Sequence, residues 1–421
     1  MSIGERVTAK TSATPGGAAA DLAKLLNAAA VRKRCALVHD WVAADRSQHF
    51  TLDKRLLAEV AVYVANVTRA AYPDLNIPPH SRWRHFSAGG RDRWASMAQK
   101  FDGATANDRA CAAIDLTTVS VLLDAGAGDQ WRYREQATGG TFARSEGLAI
   151  ASIDMFAAGI FSSDPARPLQ ADAAALKTID AAKLAQRFQV DADNPLIGLD
   201  QRAALLRRLG HALEARPVLF GPKGRPGHLA DHFTQLHRDG HAPAHEVLST
   251  LLQSLSTIWP SGLIVNGVSI GDAGRHPAVR TGDSTDGIVP FHKLSQWLTY
   301  SLIEPLAMAG LTVVDLDGLT ALPEYRNGGL LVDLGVICPR QPIETPQQFS
   351  SELVVEWRAL TVTLMDELLG LVRQRLGLGF AFTLPHLLQG GTWTAGRKIA
   401  HERRPSSGGS PIPLAADGTV F

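Results

Sequence analysis

The chain has 421 residues, 45% of them apolar and 20% charged, which excludes disorder over most of its length and makes two or three lobes the expectation from size. Its 42 basic and 41 acidic side chains leave a formal net charge of +1, so no whole-molecule field draws it to nucleic acid or anionic lipid, and any anion must be held by a local cluster. Cys35, Cys111 and Cys338 are widely spaced and lack metal-type pairing, a pattern that fits a reducing compartment without disulfides.

Residues 1–17 lack the apolar core of a secretory signal, and their small residues, Pro15, Gly16 and Gly17 predict a mobile tail. No apolar run reaches the roughly 18 residues of a membrane span, so a cytoplasmic protein without a membrane partner is expected. Over residues 18–72, apolar side chains recur at spacings of three and four (Leu22, Leu25, Leu26, Ala29; later Leu56, Val60, Val64, Val67), predicting two or three amphipathic helices. Pro73, Pro78 and Pro79 then break the helical pattern. Residues 114–123 form an apolar run that periodicity leaves open between a buried strand and a short buried helix, and the turn Asp124-Ala-Gly-Ala-Gly128 ends it.

Further helices are expected at 145–159 with Ser145 as N-cap, at 194–213, at 247–258 and at 290–308. The last of these has Pro290 in its first turn and Asp283 and Asp286 upstream as candidate caps. Residues 262–270 read as a hairpin, 349–376 as a long amphipathic helix, and 390–421 as a Gly-, Pro- and Ser-rich stretch with little periodicity. No alternation of strand and helix argues for a doubly wound sheet, so the fold class is mainly α with a few short strands. The expected organisation is a tail over 1–17, a helical lobe over 18–190, a second helical lobe over 191–389, and an extension over 390–421 packed on the body.

Four groups of residues can carry chemistry. Glu324 and Arg326 lie two positions apart between apolar segments, where desolvation strengthens whatever their charges do; a structural ion pair closing a turn is the competing reading. Ser81 to Trp94 gathers Arg82, Arg84, His85, Arg91 and Arg93 with Trp83 and Trp94, suited to clamping a phosphate or ribose, or to a solvated basic face. Asp124, its glycine turn, Trp131 and the helix start at Glu146 supply a hydrogen-bonding anchor, a stacking surface and a positive dipole end. Lys293 at a helix start can neutralise a phosphate, near Trp297 and Tyr300. His228 and His232 can share a helix face, yet the zinc-protease glutamate and a third ligand at fixed spacing are missing, so neither a metal nor a cofactor is expected.

Taken in order, Ser81-Arg-Trp-Arg-His-Phe86, Asp124-Ala-Gly-Ala-Gly128, Arg144-Ser-Glu-Gly-Leu-Ala149, Leu322-Pro-Glu-Tyr-Arg-Asn-Gly-Gly329, Gly390-Gly-Thr-Trp-Thr-Ala-Gly-Arg397 and Asp417-Gly-Thr-Val-Phe421 resemble the motifs of the uracil-catabolism protein four family, from about residue 20 to the C-terminus. A fainter likeness, in the order of Asp124, the helices after Ser145 and Asn194, Phe291-His-Lys293 and Glu324-Tyr-Arg326, is to the queuosine-salvage nucleotide N-glycosidases. Those enzymes have a helical body like that of DNA glycosylases and carry the shorter aspartate where Glu324 falls. The resemblance implies a helical glycosidase-like lobe over 191–389 and hydrolysis of the C–N bond of a ribosyl 5-phosphate such as ribosylurea 5-phosphate. In that reading Glu324 and Asp124 are catalytic, and Arg82, Arg84, His85, Trp131, Glu146, Lys293 and Arg326 bind substrate. The expected partner is a phosphorylated ribosyl small molecule. The alternatives are an amidohydrolase acting on the ureide and a non-catalytic nucleotide-binding pathway protein.

Overall fold

A computed structural model describes residues 20–101, 103–259 and 263–415; the tail over 1–17 and the closing Asp417–Phe421 motif lie outside them. Within them the protein is mainly α, and the strands form five two-stranded pairs too short to make a layer. Among the described residues, no helix is long and apolar enough to cross a membrane.

Among the described residues, the two largest apolar cores organise most of the helices. The larger surrounds the helix Ala106–Leu122, which is buried on every face from Ala110 to Leu122 and starts at a reciprocal cap between Thr105 and Asp108. All-round burial removes the polar face that marks a helix, so the 114–123 run is helical although its pattern cannot say so. The second core lies along the helix Glu352–Leu376, capped by Ser351 and ended at Gly377, whose φ of +71° suits glycine. Against it pack Ala28–Ala43 and Leu57–Ala71 from the other end of the chain. Leu148 and Leu206 share the larger core, while Val60 and Leu368 share the second.

Several expected boundaries move, each for a local reason. Pro290 ends the strand Ile288–Pro290, paired with Ala273–Arg275, and the helix begins at Lys293. Its first amide is taken by Asp272, whose carboxylate also receives Arg358, whereas Asp283 and Asp286 serve Thr281 and Thr285 in their own loop. That helix stops at Ser301, and Ile303–Met308 follows separately. Ser145 is the second residue of Arg144–Ala157 instead of its cap, and the helix expected from Asn194 begins at Leu199 because Asn194 binds the backbone of Arg132 and Gln189. The hairpin Ile264–Val265 with Val268–Ser269 is present. Residues 390–415 contain a helix the composition hid, Trp393–Arg403, packed on Tyr325–Asp333 and Leu57–Ala71.

Candidate functional site

The N-termini of three helices open on one cavity of about 360 Å³: Arg144–Ala157, Lys293–Ser301 and Tyr325–Asp333. Aligned dipoles at such ends favour an anionic or electron-rich ligand. The turn after Ala106–Leu122, the face of Trp393–Arg403 carrying Trp393 and Arg397, and the strap Ser407–Gly409 complete its wall. The volume lies at the lower end of the roughly 300–1,000 Å³ usual for small-ligand sites.

Glu324 is the N-cap of Tyr325–Asp333. Its Oε2 accepts the Arg326 amide at 2.9 Å and its Oε1 the Asn327 amide at 2.6 Å, which fixes the carboxylate at the positive end of that helix. Burial pushes its pKa above the ordinary glutamate value, against the opposing pull of those amides and of Lys293. Lys293 is shifted the other way, downward, by its own burial, with Glu324 and Asp124 both acting to hold its charge. The Arg326 guanidinium donates to the Gly408 carbonyl at 2.8 Å and lies over the Tyr325 ring, tying the strap to the Glu324 helix. Arg404 anchors the strap further with two bonds to Asp333, at 2.7 and 2.6 Å.

Asp124 leaves the end of its helix and pairs through Oδ2 with Arg82 Nη1 at 2.9 Å, while its Oδ1, buried, has no hydrogen-bond partner among the described residues. The turn behind it is moulded by Arg202, a fully buried guanidinium that donates to the carbonyls of Leu123, Ala125 and Gly126. Burial lowers the pKa of Arg202 to about 10.

Asp124, His85, Glu146, Lys293, Glu324 and Arg326 thus meet at one cavity from positions spread between 85 and 326 of the chain. Arg82, Arg84 and Trp131 do not line it. Arg82 lies behind the wall, donating to Ser120, His85 and Ser145 as well as Asp124, so it orients other groups. Arg84 pairs with Glu304 at 2.5 Å and faces an adjoining hollow of about 760 Å³ that shares His80, His85, Arg144, Glu146, Trp393 and Arg397 with the first. Trp131 is buried, donates to the Phe188 carbonyl, and presses on Gly147, where a Cβ would lie 2.9 Å from its ring. The arginine-rich motif therefore does not close as a clamp: Arg93 too is consumed, by a buried two-bond pair with Glu135.

Sequence reasoning missed His80, Asn327, Trp393 and Arg397, all in the wall together with Trp297. A signal for two of them was present, since Trp393 and Arg397 stand four apart, on one helix face, with the guanidinium 4.8 Å from the ring centroid. His228 pairs with Asp231 and His237 with Glu246, and neither belongs to a cluster of potential ligands. Among the described residues such a cluster occurs at His276, Glu352 and Glu356. There the Ala278 amide donates to His276 Nδ1, so Nε2 carries the proton given to Glu356, and Glu356 also receives Ser47; hydrogen bonds within the protein account for that group.

Fold and cavity together define an α-helical protein with a partly open cavity lined by charged side chains. A family model described as "Protein of unknown function (DUF1688)" matches residues 24–421. "Protein urg3" of Schizosaccharomyces pombe (strain 972 / ATCC 24843) is 40% identical over 410 residues, covering 95% of this chain and 99% of that protein. "Uracil catabolism protein 4" of Lachancea kluyveri is 36% identical over 429 residues, covering 93% and 97%. The chain belongs to this family, as the resemblance of its motifs implied.

Proposed function

We propose that the protein acts in uracil catabolism as an N-glycosidase, hydrolysing a ribosyl 5-phosphate such as ribosylurea 5-phosphate to urea and ribose 5-phosphate. The name of the Lachancea kluyveri relative supports the pathway. The observation that carries the reaction is the Glu324 carboxylate, pinned by two amides at a helix start and facing the same cavity as Lys293 and Asp124. As the C–N bond breaks, positive charge grows on the sugar, and a fixed carboxylate in a water-poor site stabilises it more than it stabilises the neutral substrate. Water adds to the anomeric carbon, the bonding pair leaves on the urea nitrogen, and the proton lost by water balances the one that nitrogen gains. Glu324 takes the proton from water, and Asn327, whose buried Oδ1 has no partner among the described residues, lies beside it in the wall to hold that water.

Arg144 and Arg326, both in the cavity wall, bind the phosphate with the strap Ser407–Gly409. Asp124 accepts from the leaving amide. Arg82 acts through Asp124, and Arg84 and Trp131 act through the scaffold. Incubating the purified protein with ribosylurea 5-phosphate and resolving products by mass spectrometry tests the reading. Urea with a reducing sugar phosphate is expected. Ammonia with an intact ribosyl bond identifies an amidohydrolase, and thermal stabilisation by the compound without product identifies a binding protein.

A further inference from the structure

His80 and His85 line the cavity together, and each ring centroid lies within 6.3 Å of both indoles, Trp297 and Trp393. Their tautomers follow from the partners of their Nδ1 atoms. Arg82 Nη1, which can only donate, reaches His85 Nδ1 at 3.1 Å, so in the neutral ring the proton sits on Nε2. The Gln389 carbonyl oxygen, which can only accept, lies 2.9 Å from His80 Nδ1, so that nitrogen carries the proton and Nε2 keeps a lone pair. In the same orientation the Gln389 Nε2 donates to the Tyr72 hydroxyl at 3.0 Å. Both rings stay neutral: burial pushes His80 down to about 4 and, with the neighbouring arginines Arg82, Arg84 and Arg397, holds His85 well below the usual histidine range. Among the described residues, neither Nε2 has a hydrogen-bond partner.

We infer that His80, His85, Trp297, Trp393 and the unpartnered Asp124 Oδ1 form a subsite for an uncharged, planar amide-type leaving group, with His85 Nε2–H donating to its carbonyl and His80 Nε2 and Asp124 Oδ1 accepting its N–H groups. Asp124 supplies an independent pointer, because its side chain is 9% exposed, lines the cavity and leaves one carboxylate oxygen without a donor. A ureido group offers one acceptor and several donors in a plane, which is the complement of this set. Flat indole faces suit its planar body. A site built to hydrogen-bond such a group rejects analogues that lack it, since its own buried polar atoms are then stranded.

The inference rests on the glycosidase reading, and the test separates the two. Wild type, His80→Phe and His85→Phe are compared on ribosylurea 5-phosphate and on ribosyl fluoride 5-phosphate, whose leaving group presents no amide. Phenylalanine keeps the ring between the indoles and removes the nitrogens. The second variant stands in if the first does not fold. Expected is a loss in kcat/KM on the ureide at least tenfold greater than on the fluoride. Equal losses on both substrates, or no loss on the ureide, overturn the subsite. Binding of N-methylurea, followed by ligand-observed NMR with and without ribose 5-phosphate, provides a readout that needs no catalysis. If wild type cleaves neither substrate yet binds N-methylurea in a His80-dependent way, the subsite stands and the glycosidase reading fails. Binding that is absent, or unchanged in the variants, overturns the subsite.

Discussion

Replacing Glu324 by glutamine removes a negative charge while keeping its size and an acceptor for the amides of Arg326 and Asn327, at 2.9 and 2.6 Å in the wild type. A full charge about 4 Å from a developing sugar cation is worth about 4 kcal/mol at an effective dielectric constant near 20. At about 1.4 kcal/mol per tenfold, that corresponds to a loss of roughly 10³-fold in kcat, inside the range of about 10²–10⁴ typical of a positioned acid or base. Stability responds differently. Losing an N-cap outright costs about 0.5–2 kcal/mol, but glutamine retains part of the cap and relieves the burial of a charge, so the melting temperature should stay near that of wild type. The assay is steady-state release of reducing sugar phosphate, with a thermal melt and a binding titration on the same preparation. A folded, ligand-binding variant within fivefold of wild-type turnover refutes the assignment of Glu324.

The raised pKa of Glu324 gives a pH prediction with a definite sign: because the ionised form is the active one, kcat/KM falls as pH drops through a value above the ordinary glutamate pKa of about 4.3, and Glu324→Gln loses that limb. The same shift means that folding favours the protonated group, so wild-type stability declines as pH rises through that window and Glu324→Gln gains on it in parallel denaturation curves; a constant difference would contradict the shift. Arg82→Met strands Asp124 in a buried site and should cost about 3–5 kcal/mol in urea denaturation, against near-neutrality if the pair is incidental. Gly396→Ala places a Cβ 2.3 Å from the Arg326 carbonyl and should lower both the melting temperature and turnover by prising the Trp393 helix off the Glu324 helix; an unchanged melt would mean the two helices are not in close contact.

The mainly α fold was legible because long periodic segments such as Glu352–Leu376 carry their own pattern. Asp124, Glu146, Lys293 and Glu324 were legible for another reason, since each is a charge next to a turn or helix start, where structure must account for it. What stayed hidden was direction. In the five-residue helix Arg82–Phe86 successive side chains leave at about 100° intervals, so density in sequence did not become convergence: Arg82 turned inward to Asp124 and Arg84 outward to Glu304. The Trp393–Arg403 helix was hidden by glycines that serve contact between elements: a Cβ at Gly391 would lie 2.5 Å from Val64, and Gly396 abuts Arg326. A composition that reads as loop there records close packing of a helix, and with it went Trp393 and Arg397.

The bond that breaks can be read directly by running the reaction on ribosylurea 5-phosphate in oxygen-18 water and locating the label by mass spectrometry of briefly incubated samples, corrected for exchange of free ribose 5-phosphate. Label on the anomeric oxygen of ribose 5-phosphate, with unlabelled urea, is the predicted result. Label in carbon dioxide or carbamate, with the ribosyl C–N bond intact, would contradict the account.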